Sequence, residues 1–406
     1  MTIAERLGVN RVVVALAFAR LTDAIGNSMM AVVLPLYVAD LPSPLFDLPT
    51  AFLVGLLISF YGIVNTVLQP FMGVLADRVG SRKRVIQIGL VLMSLGTLSF
   101  VLAEQYSHLF LIRGLQGIGV AMTVPATLAL MTAASVKSTR GGSMGVYSTA
   151  RLVGFALGPL MGGFLFDHFG FVTVFVVGAA LVMLGWLLVT RWVNEDELPA
   201  RELPKKNEPF KMFDRSIWSK EVMGLGLATI AMTICYSMLA ALENEFNAKL
   251  AQTAFGFGFA FSGLAVGRLL FQIPIGRLSD RIGRKPVIIG GLIAMAPATI
   301  FLGYATTTGM LAMGRFLQGM TSAAISSPAF ALVGDMAQAG GEARQMSVVS
   351  TGFFVGAAIG PLIAGGLVHV WFQLPFVVGA VLCVLGAVLV YRVVPETITS
   401  RPVDPT

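Results

Sequence analysis

Charged residues are scarce in this sequence. Only 12% of its 406 residues are Asp, Glu, Lys or Arg, whereas soluble domains carry about 25%. Hydrophobic residues make up 56% of the chain, and a water-soluble fold of this composition would expose large apolar patches. The composition therefore excludes an ordinary soluble protein and predicts a chain that lies in a lipid bilayer.

Histidine and cysteine are also rare, with three and two residues. Cys235 and Cys383 fall inside apolar runs, where cysteine more often serves as a small hydrophobic residue than as half of a redox pair. We therefore expect no disulfide framework, no metal site and no resident cofactor. The histidines form no nucleophile or metal constellation and no P-loop occurs, so we expect neither an enzyme nor direct use of ATP.

Long apolar runs recur along the whole chain, and roughly 20 such residues suffice to cross a bilayer. We predict an all-α membrane protein with twelve transmembrane helices, numbered one to twelve in chain order. Their approximate spans are 11–38, 50–76, 84–103, 107–135, 142–167, 170–192, 220–245, 253–278, 285–305, 309–335, 343–369 and 372–393.

The net charge of +7 comes from basic residues that alternate between the loops. Even-numbered turns hold clusters such as Arg82 to Arg84, whereas the odd-numbered turns offer only Lys249. By the positive-inside rule, both termini and the central loop are predicted to be cytoplasmic. This placement explains the charge without a nucleic-acid partner. The short outer loops and the absence of glycosylation sequons favour a multi-pass protein of a bacterial or archaeal plasma membrane.

An internal repeat divides the chain into two halves. Gly73 begins G-V-L-A-D-R-V-G-S-R-K, and a similar segment begins at Gly276, an offset of 203 residues. Arg113 and Arg315 begin R-G-L-Q-G and R-F-L-Q-G at an offset of 202, and the Gly-Pro segments of spans five and eleven repeat at the same offset. We predict a six-helix bundle at 1–193, a charged cytoplasmic linker at 194–219, a second bundle at 220–394 and a cytoplasmic tail at 395–406.

These loop segments resemble the signature of the major facilitator superfamily, and the resemblance covers nearly the whole chain. It implies two pseudo-symmetric six-helix bundles, a small-molecule substrate that crosses by alternating access, and a monomer. In the family the loop residues form a latch that closes the cytoplasmic side, with Asp77 facing the positive N-terminus of helix eleven; the open alternative is that the charges only set topology. The residues assigned to the latch are Gly73, Asp77, Arg78, Gly80, Arg82, Gly276, Asp280, Arg281, Gly283, Arg284 and Asp335.

Ionisable residues inside a bilayer are costly and are therefore functional candidates. Asp23 follows Arg11 by twelve residues, about 18 Å of helix rise, which places it near the middle of the membrane. Desolvation there favours the neutral carboxyl group, so Asp23 is expected to take up and release a proton. The alternative is a structural ion pair with Arg20, one turn earlier, which would keep the carboxylate charged.

The superfamily lines its central cavity with helices one, four, seven and ten. The resemblance implies that Arg113 tunes the protonation of Asp23 or holds an anionic part of a substrate; alternatively, Arg113 and its repeat partner Arg315 extend to the interface. Glu243 is a weaker proton-carrying candidate near the outer face. Arg151 and Arg268 are expected to hold helices together or to narrow the pathway. The predicted substrate cavity comprises Asn27, Met30, Met122, Arg315, Tyr236 and Met238.

A glycine-rich element in span five resembles the motif of the drug:proton antiporter branch. It comprises Gly154, Gly158, Pro159, Gly162 and Gly163. The resemblance implies export of amphipathic small molecules or drugs driven by a proton gradient; the alternative is ordinary close packing of helices. Proton-coupled uptake of sugars, organic acids or other metabolites stays open because Pro395-Glu396-Thr397 resembles the start of a sugar-porter signature. A transporter-like sensor or channel that does not cycle is the alternative from another class.

Overall fold

The computed structural model describes residues 8–43, 47–135, 139–195, 219–336 and 342–397. Within these ranges the chain is α-helical with short 3-10 turns. Most of the predicted linker and of the C-terminal tail lies outside the described residues. The helices are α1 Arg11–Asp40, α2 Thr50–Arg78, α3 Arg82–Ser99, α4 Tyr106–Ala134, α5 Arg140–Trp192, α6 Lys220–Ser237, α7 Glu243–Leu250, α8 Ala254–Ile282, α9 Arg284–Gly303, α10 Thr308–Met336, α11 Glu342–Leu367 and α12 Leu374–Val393.

Eleven helices of the described ranges are long and apolar enough to cross a membrane. One of them, α5, has 53 residues, a length of about 80 Å, far more than one bilayer requires. Its backbone leaves the helical conformation at Gly170, where φ is 75° and ψ is −177°. Glycine adopts this left-handed φ without a steric penalty, so α5 contains both the fifth and the sixth predicted spans. The prediction of twelve membrane helices is confirmed.

The seventh predicted span ends earlier than expected. We predicted 220–245, but α6 ends at Ser237, a 3-10 turn follows at Met238–Ala241, and the short helix α7 begins at Glu243. The change coincides with side chains from α10: Arg315 donates a hydrogen bond to the Tyr236 carbonyl at 2.7 Å, and Gln318 donates one to the Cys235 carbonyl at 3.3 Å. These donors engage carbonyls in the last turn of α6 and compensate for the irregular backbone.

The apolar cores show how the two halves meet. One core lies within the first half and contains Leu16 and Leu90, and another lies within the second half and contains Leu292. A third core joins both halves, since it includes Leu57 of α2 and Ala364 of α11. We call the end that carries Arg82 to Arg84 and Arg284 the basic end. The shared core lies toward the opposite end, so the halves are packed together there.

Small residues make this contact close. A Cβ atom built on Gly55 of α2 would lie 2.4 Å from the Pro361 carbonyl oxygen of α11, and one built on Gly258 of α8 would lie 2.2 Å from the Pro159 carbonyl oxygen of α5. By contrast, a Cβ on Gly276, nearer the basic end, would meet no atom within 4 Å. The two halves are therefore packed closely at the opposite end, whereas toward the basic end a cavity lies between α5 of the first half and α8 and α10 of the second.

Candidate functional site

Asp23 lies buried in the middle of α1, with 3% of its surface exposed. Its Oδ2 atom accepts a hydrogen bond from Nη1 of Arg20, one helical turn earlier. Its Oδ1 atom is also buried and has no hydrogen-bond partner among the described residues. The predicted ion pair is therefore present, but it satisfies only one carboxylate oxygen.

Two tyrosines and a third charged group surround this pair. Tyr61 of α2 and Tyr147 of α5 both interact electrostatically with Arg20 and Asp23. Arg151 of α5 also lies within the electrostatic range of Asp23. Three helices of the first half thus converge on the carboxyl group, and a change in its charge would be felt by each of them.

Arg113 and Arg315 occupy equivalent buried positions in the two halves, with 4% and 1% exposure. Arg113 donates to Gln116 at 3.0 Å, and Gln116 donates to Thr97 at 3.0 Å. The second half repeats this network at an offset of 202 residues. There Arg315 donates to Gln318 and Gln318 donates to Thr299, again at 3.0 Å.

Neither arginine extends to an interface. Arg113 lies 5.4 Å from the ring centroid of Tyr61, and Arg315 lies 4.5 Å from that of Phe261, distances that permit cation–π attraction. Arg113 therefore reaches the surroundings of Asp23 through Tyr61, whereas Arg315 holds the end of α6. Sequence reasoning found both arginines but missed their glutamine and threonine partners, although Gln116 and Gln318 stand in the repeated segments themselves.

The predicted substrate cavity is only partly assembled. Met30 and Met238 are buried in the core shared by the two halves, and Met122 is buried in the core of the first half. In this conformation these methionines pack against apolar neighbours and do not line the opening between the halves. Asn27 and Tyr236 are partly exposed. The pocket that these residues were expected to form stays a prediction.

The opening between the halves is lined by other residues. A cavity of about 200 Å³ lies between α5, α8 and α10. Its lining residues are Ser148, Arg151, Leu152, Arg268, Gln272, Ser326, Ser327 and Phe330. Arg151 and Arg268 were expected to hold helices together or to narrow the pathway, and the structure places both at the cavity wall.

The glycine-rich element of α5 has two faces. Gly154, Gly158 and Gly162 face α1: Cβ atoms built on them would lie 2.6 Å from Ala24 Cβ, 2.6 Å from the Ile25 carbonyl oxygen and 3.0 Å from Met29 Cα. Pro159 and Gly163 instead face α8 of the other half, where a Cβ on Gly163 would lie 2.5 Å from the Ala254 carbonyl oxygen. The element thus packs its own half and also closes the opposite end.

The same geometry recurs in α11. Cβ atoms on Gly356 and Gly360 would meet α6 carbonyl oxygens at 2.7 and 2.8 Å, and one on Gly365 would lie 2.3 Å from the Ala51 carbonyl oxygen of α2. The element of α5 is therefore matched in the second half, and its packing role is common to both halves.

Asp167 adds a polar contact between the halves. It follows the glycine-rich element in α5, and its two carboxylate oxygens accept hydrogen bonds from the backbone N–H groups of Ala254 at 3.2 Å and Phe255 at 2.9 Å. These groups begin α8 of the other half, so Asp167 caps a helix across the interface. The equivalent start of α2 has Pro49 at the N-cap position and no side-chain cap.

Most of the residues assigned to the latch lie in the last turns of α2 and α8, in the turns that follow these helices and at the start of the next helices. Gly80 and Gly283 adopt positive φ values of 78° and 103° at the turns that follow α2 and α8, and a Cβ on Gly73 would meet only Pro125, at 3.6 Å. The side chain of Asp77 lies outside the described residues, and the latch stays a prediction. Arg78 and Arg281 are exposed.

Charged contacts nevertheless form at the basic end. Nη1 of Arg284 lies 2.9 Å from Oδ2 of Asp335, and Nη2 of Arg284 lies 3.7 Å from Oδ1 of Asp280. These three residues of the second half, all assigned to the latch, are therefore in contact. In the first half Arg82 donates to the Ala129 carbonyl at 3.2 Å.

Two glutamates cap helices at this end, a role that the sequence did not predict for either of them. Glu195, after α5, accepts hydrogen bonds from Ser81 and, at 2.8 Å, from the Arg82 backbone N–H group at the start of α3. Glu396, after α12, accepts hydrogen bonds from the backbone N–H groups of Arg284 at 3.2 Å and Lys285 at 2.9 Å. The segment Pro395-Glu396-Thr397 thus has a structural role that the first half reproduces. The offset of 201 residues between the glutamates was the available signal.

Glu243 begins α7, outside the membrane-spanning helices, at the opposite end. It is fully buried, and its only described hydrogen bond is a long one of 3.4 Å from Asn247. Burial raises the pKa of Glu243 well above its ordinary value, and the nearby charge of Asp167 raises it further, while the hydrogen bond from Asn247 opposes the rise. Glu243 lies away from Asp23, as its position in the repeat predicts.

Comparison with known proteins supports this architecture. A family model described as Major Facilitator Superfamily matches residues 16–243 and 222–405. Among curated proteins, the chain is 26% identical to the multi-drug resistance efflux pump PmrA of Streptococcus pneumoniae over 317 residues, which cover 77% of this chain and 78% of the pump.

Solved structures show the same fold. A bacterial homolog of the human lysosomal transporter Spinster has a TM-score of 0.76 and 17% identity, with 94% of this chain and 95% of that chain covered. The nucleoside transporter NupG has a TM-score of 0.73 and 15% identity, with 94% and 99% covered. Transporters with different names share this architecture, so the fold alone does not set the substrate.

Proposed function

Because this chain belongs to the major facilitator superfamily, we propose that it is a proton-coupled exporter of amphipathic small molecules that works by alternating access. The basic end is then the cytoplasmic end, and the conformation described above is open to the cytoplasm. Substrate would enter between the halves, and the contacts of α2 with α11 and of α5 with α8 would separate to release it on the other side.

The observation that carries this proposal is the buried carboxyl group of Asp23. Within the described membrane-spanning helices, with α5 counted as two spans that meet at Gly170, it is the acidic side chain farthest from the helix ends. One oxygen is bound by Arg20, and the other has no hydrogen-bond partner in the described part of the chain. A buried carboxylate that is only half satisfied gains from binding a proton, because the proton removes the cost of holding a desolvated charge.

Proton exchange at Asp23 would alter the contacts that hold the first half together. Loss of the carboxylate charge frees Arg20 from its ion pair and changes the field at Tyr61, Tyr147 and Arg151. Since these groups come from α2 and α5, the helices that also form the contacts between the halves, the charge of Asp23 can bias which end is open. The similarity to an efflux pump supports the outward direction.

The test uses full-length protein in proteoliposomes with an imposed pH gradient and a panel of dyes, sugars and lipids. We expect one or more amphipathic compounds to move against the proton flow. Asp23→Asn should abolish gradient-driven transport while substrate binding persists, whereas Asp40→Asn, at the exposed end of the same helix, should transport normally. Full proton-driven activity of the Asp23→Asn variant would remove this residue from the mechanism. Gradient-driven movement of sugars alone would favour uptake.

A further inference from the structure

The cavity between the halves carries positive charge from both sides. Arg151 belongs to α5 of the first half, and Arg268 belongs to α8 of the second half. The two guanidinium groups are close enough to repel each other electrostatically. A pair of like charges across a cavity is unfavourable unless something of opposite charge lies between them.

Neither arginine is neutralised by the described part of the chain. No carboxylate of the described residues lies within 4.0 Å of either guanidinium group. Arg268 donates hydrogen bonds to Ser326 at 3.1 Å and to the Tyr236 side chain, both neutral groups, and its buried Nε atom has no partner among the described residues. The guanidinium group of Arg151 lies 5.9 Å from the centroid of the Phe155 ring and interacts with Asp23 at longer range. Both side chains are half-buried at the cavity wall, and a partly desolvated cation gains from an anionic partner, so this arrangement is suited to receive one.

The wider charge balance points the same way. Five arginines lie in the central parts of the described membrane-spanning helices, with the two spans of α5 counted separately. One acidic residue, Asp23, lies there too, and it is already paired with Arg20. The arginines are Arg20, Arg113, Arg151, Arg268 and Arg315. A cationic drug would add a further positive charge to this region, whereas an anion would relieve the repulsion.

The rest of the wall fits a polar head with an apolar tail. Ser148, Gln272, Ser326 and Ser327 supply neutral hydrogen-bonding groups, while Leu152 and Phe330 supply apolar surface. The volume of about 200 Å³ is smaller than the roughly 300–1,000 Å³ of pockets that enclose a whole drug-sized molecule. The enclosed part therefore matches a head group, with the remainder of the ligand outside it.

We propose that Arg151 and Arg268 bind the oxyanion head group of an anionic amphiphile, such as a carboxylate, sulfonate or phosphate. Guanidinium groups suit these oxyanions because their parallel N–H donors match pairs of oxygen atoms. One arginine comes from each half, so the bound head group draws the halves together at the basic end. The inference narrows the substrate class of the proposed exporter and rests on that function for its place in a transport cycle.

The experiment measures binding of tritiated octanesulfonate to full-length protein in zwitterionic nanodiscs, with empty nanodiscs subtracted. The matched probe is octyltrimethylammonium, which has the same chain and the opposite charge. Inorganic phosphate serves as a competitor, because it separates recognition of an amphiphile from recognition of a free oxyanion. We expect the sulfonate to bind at least about tenfold more tightly than the ammonium compound and phosphate to compete weakly.

Variants then assign the residues. Arg151→Gln and Arg268→Gln should each weaken sulfonate binding by about tenfold or more, since each removes a charge-assisted hydrogen bond to the head group. The Arg268→Lys variant, which keeps the charge, should retain part of the affinity. Arg392→Gln, at the exposed end of α12, is the matched control and should bind like the parent protein. If a Gln variant does not fold, the ratio of sulfonate to ammonium affinity in the parent protein still tests the preference for an anionic head group.

Three results would overturn the inference: equal binding of both octyl probes, unchanged sulfonate affinity in both Gln variants, or phosphate binding as tight as sulfonate binding. Proton-driven transport of a cationic dye without sulfonate binding would leave the proposed exporter intact and remove the anionic substrate class. Sulfonate binding that depends on the two arginines, together with no proton-driven transport, would keep the site and remove the proposed exporter.

Discussion

The cap that Asp167 places on α8 should help to hold the opposite end closed. Replacing Asp167 by Ala removes two hydrogen bonds to the backbone N–H groups of Ala254 and Phe255, at 3.2 and 2.9 Å. Thr253 remains as the N-cap of α8 and accepts a hydrogen bond from the Gly256 N–H group. Loss of the two hydrogen bonds to Asp167 costs about 1 kcal/mol, and loss of a carboxylate at an exposed helix N-terminus costs a further ~0.3–1 kcal/mol. Since α8 belongs to the other half, the loss of these contacts destabilises the state in which the opposite end is closed.

A change of that size is measurable as a shift in populations. About 1.3–2 kcal/mol corresponds to a roughly nine- to thirtyfold rise in the ratio of open to closed molecules at the opposite end. Asp167→Asn should have a smaller effect, because the amide oxygen can still accept a hydrogen bond while the charge is lost.

The assay is a distance measurement between two spin labels by pulsed electron paramagnetic resonance. Labels attached through Leu48→Cys and Tyr304→Cys report on exposed positions in different halves at this end. The background carries Cys235→Ala and Cys383→Ala, since both native cysteines are free thiols with sulfur atoms 3.3 Å apart.

Asp40→Ala is the matched control for the charge, because Asp40 is exposed at the end of α1 and the cap does not involve it. Identical distance distributions for the Asp167→Ala variant and the parent protein would refute a role for the cap. An equal shift in the Asp40→Ala variant would instead assign the effect to surface charge in general.

Two further predictions concern the same end. Gly163→Ala would bring a Cβ atom to 2.5 Å from the Ala254 carbonyl oxygen, so it should favour the open state by about 1–3 kcal/mol, measured with the same spin labels. Gly162→Ala, which faces α1, should lower thermal stability without moving the labels. Equal label shifts in the two variants would contradict the packing of the two glycines on different faces of α5. Burial raises the pKa of Glu243, so the folded state binds its proton more tightly than the unfolded state and loses stability as pH rises above the ordinary glutamate value of about 4.3. Glu243→Gln should therefore raise the melting temperature at pH 7.5 but not at pH 4.5, and an exposed control, Glu104→Gln, should change neither; a pH-independent effect would contradict the buried-charge explanation.

Much of the fold could be predicted because the bilayer leaves few alternatives. The length of the apolar runs and the spacing of the repeats gave all twelve helices, including the two within α5. The end of the seventh span was wrong because the carbonyls of Cys235 and Tyr236 are engaged by side chains 80 residues or so later in the chain, and no local pattern records such a contact.

The candidate site was less predictable for the same physical reason. Asp23 and Arg20 lie on one helix, so their pairing follows from a spacing of three residues. The cavity of Arg151 and Arg268 depends on how two halves lie against each other, and Met30 and Met238 were assigned to a cavity although they pack in the shared core. Position on a helix known to line a pathway does not specify which face of the helix a residue occupies in a given conformation.

The caps formed by Glu195 and Glu396 bear on how the protein can be divided. Each connects the segment after the last helix of its half to the first turn of that half's third membrane-spanning helix, which is α3 in the first half and α9 in the second. Lys83 and Lys285 add a bond from the same turns to the carbonyls of Thr190 and Tyr391, at 2.9 and 2.8 Å. Each cap, with its lysine hydrogen bond, lies within one half, so neither depends on the covalent connection between the halves. If the chain were divided between Glu195 and Ser219 and the two fragments were translated separately, each fragment would retain its own glutamate cap. The fragments could then be tested for reassembly in one membrane.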